Sequence, residues 1–341
     1  MIDDENSVLV TGASGFIGGY VVAELLGRGH RVTGLDDHSK YGPVRRSHDD
    51  HPRYRFVEGD ARDVELLTEL LDGQDHLIAG AAMIGGISYF HEYPYDLLAT
   101  NERIIAATCD AAIAAHATGS LQKVTYLSSS MVYESADAWP SREGQQLEVP
   151  PPMSSYGFQK LAVEYFAKAA WDQYGLPYTI VRPFNCVGVG ERRALVATQV
   201  RSGNMTLALS HVVPDLVLKI ASGQDPVHVL GSGGQTRHYT YGGDLAAGIV
   251  TAMSHPDAVN EDFNLSTSAS TTVLELATAI GRRIRGADVP FRYVSDPPFT
   301  HDVQRRSPDT EKAKRVLGFE ATTSLGRMLD EVVPWVMDNV R

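Results

Sequence analysis

One stretch near the start of the chain does most to limit what it can fold into. Residues Ser7–Thr11 form a short apolar run typical of a buried strand, and Gly15–Arg28 carries the apolar stripe of a helix. Between them lie Gly12, Gly15 and Gly18, in a GxxGxxG spacing. The first glycine permits a tight turn, the second lets a pyrophosphate approach the main chain, and the third lets helix and strand pack closely. This placement predicts a dinucleotide-binding site at the helix N-terminus.

Short β-rich runs alternate with helical runs as far as residue 185. The alternation predicts an α/β fold of the Rossmann type, with a parallel, doubly wound sheet. The predicted strands are Ser7–Thr11, Arg31–Leu35, Tyr54–Val57, His76–Ala79, Val124–Ser128 and Tyr178–Arg182, and the further helices are Val64–Leu71, Tyr95–Ala117 and Tyr156–Tyr174.

Two carboxylates, Asp36 and Asp37, close the second predicted strand. A carboxylate at this point accepts hydrogen bonds from the adenosine ribose hydroxyls and repels a 2′-phosphate, so the sequence favours NAD over NADP. After the third strand, Asp60 is placed to reach the adenine edge, and Asp63 is placed to cap the next helix. The sequence alone leaves the roles of these last two residues open.

The pattern changes after residue 185. We predict an NAD-binding Rossmann domain at 1–185 and a smaller, mainly substrate-binding domain at 186–341, with the chain crossing back near 237–255. The segment 187–234 is rich in loops, and the second half has four predicted helical stretches, which are Val213–Ala221, Tyr239–Met253 (opening on a strand end), Thr272–Arg285 and Ser324–Val340.

Composition narrows the class of partner. The chain of 341 residues has 30 Lys and Arg against 42 Asp and Glu, a net charge of −12, which disfavours a nucleic-acid partner. Its two cysteines, Cys109 and Cys186, have no CxxC spacing, so we expect neither a metal site nor a disulfide framework. The start lacks the basic segment of a signal peptide, and no run reaches the roughly 18 apolar residues of a membrane span. We therefore expect a cytoplasmic protein with no membrane partner.

Tyr156 and Lys160 form a YxxxK pair at the start of a predicted helix. Positions i and i+4 share a helix face, so the ammonium is expected to lower the pKa of the tyrosine and prepare it as a general base for a hydroxyl. Ser129 lies at the carboxyl end of the fifth strand, where a hydroxyl faces the cofactor crevice. These residues predict a Ser–Tyr–Lys catalytic set.

Taken together, these motifs resemble the extended short-chain dehydrogenase/reductase family, and within it the nucleotide-sugar epimerases and dehydratases. The resemblance spans almost the whole chain. It implies bound NAD, a nucleotide-diphosphate sugar substrate, a C-terminal nucleotide-sugar-binding domain, and a homodimer through helices around 95–117 and 154–174. The matching segments, in the family's order, are TGASGFIGG, Asp36, GDARD, AAMIGGI, SSSMVYE, SSYGFQK, RPFN, GQTRHYTYGGDLA and QRRSPDTEKAKRVLGF.

The same resemblance implies which residues contact the cofactor. Besides the catalytic Tyr156 and Lys160, they are Gly12, Gly15, Phe16, Ile17, Gly18, Asp36, Asp37, Asp60, Ala61, Ala81, Ala82 and Asn101.

The two residues after Ser129 distinguish reactions within this family. Sugar 4,6-dehydratases usually carry an Asp-Glu pair there, and decarboxylases and 3,5-epimerases carry a Glu or a Cys at the second position. This chain has Ser130 and Met131, which do no acid/base work. A 4-epimerase needs no further acid or base, so the resemblance favours C4 inversion through a transient 4-keto sugar.

Other segments resemble the GDP-sugar branch. Met83, Gly85 and Gly86 are similar to a glycine-pair segment of GDP-fucose synthases and GDP-mannose 3,5-epimerases. His211 lies in a segment similar to the one that holds the second acid/base of the fucose synthases. As an acid/base it would support C3 or C5 chemistry, and otherwise it contacts the nucleotide or caps the helix at Pro214. A GDP-sugar 3,5-epimerase-like enzyme is therefore the alternative prediction.

For the substrate diphosphate, Asn185 and Arg237 match family contacts, and Arg305 or Arg306 is expected to join them. The resemblance makes Met83, Gly85, Gly86, Ser130, Met131, Asn185, His211, Arg237 and Arg305 the predicted substrate-binding set.

Two further points stay open in the sequence. Arg192 and Arg193 are placed either to bind a uronate carboxylate or to lie in a solvated loop. The nucleotide (UDP, GDP, dTDP or CDP) and the sugar are not specified. A decarboxylase, a dehydratase or a non-enzymatic NAD-binding regulator on the same fold is disfavoured, the last because Tyr156 and Lys160 are both present.

Overall fold

A parallel sheet of seven strands forms the centre of the protein, seen in a computed structural model that describes residues 5–84, 92–192, 194–195, 201–202, 205–206, 211–297, 303 and 305–339. Six strands come from the first half: β1 (Ser7–Thr11), β2 (Arg31–Asp36), β3 (Tyr54–Glu58), β4 (His76–Ala79), β5 (Lys123–Leu127) and β6 (Tyr178–Pro183). The helices of this half are α1 (Phe16–Gly27), α2 (Val64–Leu71), α3 (Pro94–Ala117) and α4 (Ser155–Tyr174).

The second half contributes shorter strands and more helices. Its strands are β7 (Cys186–Val187), β8 (Arg201–Ser202), β9 (Met205–Thr206), β10 (Val227–Leu230), β11 (Thr236–Arg237), β12 (Thr240–Tyr241), β13 (Glu261–Leu265), β14 (Thr271–Thr272) and β15 (Tyr293–Asp296). Its helices are α5 (Val212–Ala221), α6 (Gly242–Ser254), α7 (Val273–Arg285), α8 (Glu311–Leu317) and α9 (Leu325–Asn339).

The sheet order is β13-β6-β5-β4-β1-β2-β3, and every neighbouring pair is parallel. Successive residues of a strand face opposite sides, so Val8 and Val10 pack with α1 and α6, whereas Leu9 packs with α2, α3 and α4. Both faces of the sheet are therefore covered by helices, as parallel sheets require. The predicted Rossmann-type α/β fold is confirmed.

One strand of the sheet was not predicted. The strand β13 comes from the second half and pairs with β6 in register from Glu261 opposite Thr179 to Leu265 opposite Pro183. Together with α6, it returns the chain to the sheet, and this return extends beyond the predicted 237–255. The division of domains at residue 185 stays a prediction.

A separate apolar core lies in the second half. It joins α5, α7 and α9 to β10, with Val217, Ile280 and Val332 among its buried side chains.

The start of α7 is set by a capping box, because the Thr272 side chain accepts from the Glu275 N–H while the Glu275 carboxylate accepts from the Thr272 N–H. Within the described part of the chain, no helix combines the length and apolar character needed to cross a membrane.

Candidate active site

A cavity of about 530 Å³ opens at the carboxyl ends of the parallel strands, where it meets the second half of the chain. It brings together most of the predicted site residues. Those that line it are Gly12, Gly15, Phe16, Ile17, Gly18, Asp36, Asp37, Asp60, Ala61, Ala81, Ala82, Met83, Ser129, Ser130, Met131, Tyr156, Lys160, Asn185, His211 and Arg237.

The glycine-rich turn has the geometry that a dinucleotide needs. Gly12 has a φ of 75°, which favours glycine, and its N–H donates to the Leu35 carbonyl at 2.8 Å. A Cβ on Gly18 would overlap the Gly12 carbonyl oxygen, so only glycine fits there. No side chain caps the N-terminus of α1 at Gly15, which leaves that helix end facing the cavity. An anion fits this cradle.

One support of the glycine-rich turn was not predicted from the sequence. The Arg46 guanidinium donates to the carbonyls of Ser14 and Gly15 at 2.9 and 3.0 Å. These bonds hold the turn from outside the cavity. Arg46 reaches it from the loop between β2 and β3, a contact that no local motif indicates.

Asp36 lines the cavity and is itself held by the main chain. Its carboxylate accepts from the Ser14 N–H at 3.0 Å and from the His38 N–H at 2.8 Å. Burial raises the pKa of Asp36, and these two hydrogen bonds oppose the rise. Each carboxylate oxygen keeps a further acceptor position for a ribose hydroxyl.

The structure decides one of the two roles that the sequence left open for Asp60 and Asp63. Asp63 caps α2 by accepting from the Leu66 N–H at 3.0 Å, so its predicted capping role is confirmed. Asp60 lines the cavity but pairs with Arg62, and their hydrogen bond lowers the pKa of Asp60. Its contact with an adenine edge stays a prediction.

Asn101 was predicted to contact the cofactor, but the structure places it behind the cavity wall. Its side chain is buried and does not line the cavity. It accepts from the Met83 N–H at 2.7 Å and donates to the Met83 carbonyl at 2.9 Å. Asn101 therefore positions the segment that forms this wall of the cavity. Gly85 and Gly86, predicted in the same segment, lie outside the described residues.

Ser129 and Tyr156 are hydrogen-bonded to each other in the cavity wall. Ser129 begins a 3-10 turn, Ser130–Tyr133, and accepts from the Met131 N–H at 3.2 Å. Tyr156 lies in the first turn of α4, whose N-terminus is capped by Ser154. A strand end and a capped helix therefore bring the two hydroxyls together.

The electrostatics of Tyr156 differ from the sequence prediction. Burial raises the pKa of Tyr156, and the opposing influences are the hydrogen bond to Ser129 and the charge of Arg306. Lys160 is not among the groups that lower this pKa, and its ammonium donates to the Leu127 carbonyl at 2.9 Å. The expected effect of Lys160 on Tyr156 stays a prediction. Burial lowers the pKa of Lys160 itself to about 8.

On the substrate side, the structure distinguishes the two neighbouring arginines. Arg306 lines the cavity, whereas the predicted Arg305 is exposed and lies over the Trp139 ring at 5.3 Å. The correction follows from the backbone, because Arg305 bridges to Thr236 and successive residues of an extended segment point in opposite directions. Arg237 is buried in the cavity wall.

The side chain of Asn185 gives evidence for a ligand that does not depend on any sequence motif. It lines the cavity with a φ of 38°, and its Oδ1 is buried without a hydrogen-bond partner in the described part of the protein. A buried acceptor of this kind is costly unless a ligand or water satisfies it. Of the two arginines left open in the following loop, Arg192 lies 6.0 Å from the Trp335 ring centre, and Arg193 is outside the described residues.

His211 also faces the cavity, and its orientation is fixed by a buried acid. Its Nδ1 lies 2.6 Å from Oε1 of Glu191, whose side chain is only 4% exposed. His211 precedes α5, but its side chain does not cap that helix. Glu191 was missed by the sequence analysis because it lies 20 residues earlier, in an irregular loop.

A Rossmann sheet with a dinucleotide-binding turn and a Ser–Tyr–Lys set in one cavity defines a short-chain dehydrogenase/reductase. The family model described as "NAD dependent epimerase/dehydratase family" matches residues 8–266. The chain belongs to this family, and NAD is its cofactor. The glycine-rich turn and Asp36 fit that cofactor.

Individual relatives agree in length and fold. The UDP-glucose 4-epimerase of Mycolicibacterium smegmatis is 28% identical over 329 residues, which cover 95% of this chain and 96% of the relative. The crystal structure of a UDP-glucose 4-epimerase with UDP-glucose from Thermotoga maritima has a TM-score of 0.79 and 27% identity, covering 97% and 99% of the two chains. The crystal structure of a double mutant of DesIV, a dTDP-glucose 4,6-dehydratase from Streptomyces venezuelae, with NAD and DAU bound has a TM-score of 0.81 and 25% identity, covering 97% of each chain.

Proposed function

We propose that the protein is an NAD-dependent nucleotide-sugar epimerase that inverts C4 through a transient 4-keto sugar. The observation that carries the proposal is the Ser129–Tyr156 hydrogen bond in the cavity wall, with Met131 beside it. The chemistry that bound NAD supplies is reversible hydride transfer, which does not exchange with solvent. A 4-epimerase needs one base for the C4 hydroxyl and no further acid or base.

Each residue of the set has a distinct role. Tyr156 takes the proton of the C4 hydroxyl and later returns it, and Ser129 orients that hydroxyl by hydrogen bonding. The charge of Arg306 favours the tyrosinate form of Tyr156. Lys160, anchored on the strand-end carbonyl of Leu127, places a second positive charge in the same wall.

The neighbours of Ser129 support epimerisation over dehydration or decarboxylation. Ser130 and Met131 both line the cavity, and neither titrates in the physiological range. The added acid or base that those other reactions use is therefore missing from this position. Arg237, whose guanidinium is a donor group buried in the cavity wall, supports a diphosphate-bearing substrate.

A second candidate function is C3 or C5 epimerisation of a GDP-sugar, favoured by the His211–Glu191 pair. An imidazole held at 2.6 Å by a buried carboxylate can exchange a proton with a sugar carbon. That route passes through an enol, so a solvent proton must enter the carbon skeleton. Inversion at C4 requires no such step.

Turnover in D₂O separates the two candidates. We expect a nucleotide sugar found by screening a panel to be inverted at C4 with no deuterium on any sugar carbon, measured by NMR and mass spectrometry. His211→Asn should keep much of the activity, since its imidazole is not needed for hydride return. Deuterium at C3 or C5, absent in His211→Asn, would make His211 the catalytic acid/base and reject C4 inversion.

The enclosed turn and Asp36 also predict that the cofactor stays bound through a redox-neutral cycle. Protein purified without added nucleotide and then denatured should release NAD(H) rather than NADP(H), identified by mass spectrometry. Release of NADP(H) alone, or stoichiometric consumption of added NADPH during turnover, would instead indicate a reductase.

The homodimer through α3 and α4 and the cytoplasmic location stay predictions. Both helices carry exposed aromatic side chains that support a contact surface, among them Tyr95 and Trp171.

A further inference from the structure

At the end of the cavity that the second half of the chain forms, α5 places a carboxylate and an ammonium group on one helix face. Asp215 and Lys219 are four residues apart, and both line the cavity. The same end of the cavity is lined by the apolar Leu216, Val229 and Leu230 and by the polar His228 and Gln235. Apolar side chains beside a few polar groups suit a flat aromatic ring with polar groups on one edge.

The carboxylate of Asp215 is held in place but still open to the cavity. Its Oδ2 lies 3.2 Å from the Lys219 ammonium, and its side chain is 15% exposed while that of Lys219 is 2% exposed. Burial and the charge of Glu191 raise the pKa of Asp215, and the Lys219 ammonium opposes that rise. The carboxylate therefore offers acceptor positions to a ligand.

The main chain of β10 has little left to offer that ligand. One edge of the strand pairs with β15. On the other edge, the His228 N–H donates to Gln224 Oε1 at 2.9 Å and the His228 carbonyl accepts from Lys219 at 3.1 Å. The Leu230 carbonyl accepts from Gln235 at 2.7 Å. Recognition at this end therefore depends mainly on side chains. Asp215 supplies the carboxylate, and Gln235 supplies a neutral acceptor, since its Oε1 is buried without a hydrogen-bond partner in the described part of the protein.

We propose that Asp215 is a specificity-determining residue that selects guanine as the base of the substrate. This inference rests on the proposed function, since it identifies the nucleotide of that nucleotide sugar. No residue of the Ser–Tyr–Lys set takes part in it.

The reason lies in the pattern of donors on each base. Guanine presents two adjacent donors, the N1–H and the N2 amino group, which match the two oxygens of a carboxylate. Uracil and thymine present a single N–H between two carbonyl oxygens, and those oxygens are repelled by the carboxylate. Cytosine and adenine present one amino group beside a ring acceptor, so one carboxylate oxygen would lack a partner. A site built around buried polar groups rejects a ligand that leaves them unpaired.

Equilibrium binding to the NAD-loaded protein tests this without any sugar chemistry. Isothermal titration calorimetry with GDP, UDP, dTDP, CDP and ADP should give the lowest Kd for GDP, by about 10-fold to 100-fold over UDP. Because these ligands carry no sugar, the result does not depend on which carbon is inverted.

The substitution Asp215→Asn should narrow the preference for GDP. An amide offers one acceptor and one donor, which match the N3–H and a carbonyl of uracil, whereas on guanine they can meet only N1–H and O6, so the contact to the N2 amino group is lost. GDP binding should weaken by about 10-fold or more, and UDP binding should strengthen. Asp330→Asn is the matched control, because it removes the same charge from an exposed position on α9 and should change neither Kd.

The outcomes distinguish this inference from the proposed function. If UDP or dTDP binds the unaltered protein as tightly as GDP, or if Asp215→Asn leaves the GDP-to-UDP ratio unchanged while the variant remains folded by circular dichroism, guanine selection by Asp215 is wrong. Those results leave C4 inversion untouched. If no nucleoside diphosphate binds, both the inference and the nucleotide-sugar substrate fail.

Discussion

Replacing Tyr156 with phenylalanine should lower turnover by roughly 10²–10⁴-fold, the usual contribution of a general acid/base. The hydroxyl that would take the substrate proton is lost, while the ring that fills the cavity wall is kept. The glycine-rich turn and Asp36 are unchanged, so the variant should still release NAD on denaturation. Steady-state kinetics and cofactor release can be measured on the same preparation.

Tyr165→Phe provides the control for this loss. It removes a hydroxyl from the same helix, but from a side chain that is 59% exposed, so turnover should stay near the unaltered value. Near-full activity in Tyr156→Phe would show that another group accepts the proton. A loss of activity together with loss of NAD or of the folded state would indicate a structural role instead.

The features that the sequence could predict are local ones. The glycine-rich turn, the YxxxK pair and the cap at Asp63 each depend on residues close together in the chain, and their spacing carries the structural signal. The strands of the first half were predicted to within one residue at every end. The central strand β1 is buried along its whole length and forms a continuous apolar run, whereas the edge strand β3 is partly exposed.

The features that escaped prediction depend on contacts between distant segments. The strand β13 begins with Glu261 and Asp262 and is therefore not an apolar run, and it is a strand because it pairs with β6. The pair of His211 with Glu191 and the charge of Arg306 beside Tyr156 bring together segments that only the fold places side by side. The amide of Asn101 likewise binds a main-chain segment 18 residues away.

A buried ion network joins β13 to the catalytic half of the protein. The Arg182 guanidinium, fully buried on β6, contacts both carboxylate oxygens of Glu164 at 2.7 and 2.8 Å and Asp262 at 2.6 Å. Glu164 lies on α4, the helix that carries Tyr156, and also accepts from Ser128 at 2.7 Å and from Gln146 at 3.0 Å. One arginine therefore links the unpredicted strand to the catalytic helix.

The substitution Arg182→Met should lower the free energy of unfolding by about 3–5 kcal/mol, because removal of one partner leaves buried carboxylates uncompensated. Urea denaturation measures the change. Arg45→Met is the control, since Arg45 and its partner Asp50 are 79% and 84% exposed, and it should cost about 1 kcal/mol or less. A similar small cost for Arg182→Met would show that the network contributes little to stability.

Two further measurements separate lost charge pairing from lost packing. Adding Glu164→Gln to Arg182→Met removes the stranded charge, so the double variant should be more stable than Arg182→Met alone.

Burial tends to raise the pKa of Asp262, but Arg182 and Lys312 outweigh it and lower that pKa from 3.8 to about 2. The carboxylate therefore contributes stability that is fully present above pH 3.8 and is lost as the pH falls through about 2. Without Arg182 the pKa of Asp262 should rise, and the stability of Arg182→Met should fall less steeply than that of the unaltered protein over this range. An unchanged acid slope would mean that packing around Arg182, rather than its charge, joins the strand to the helix.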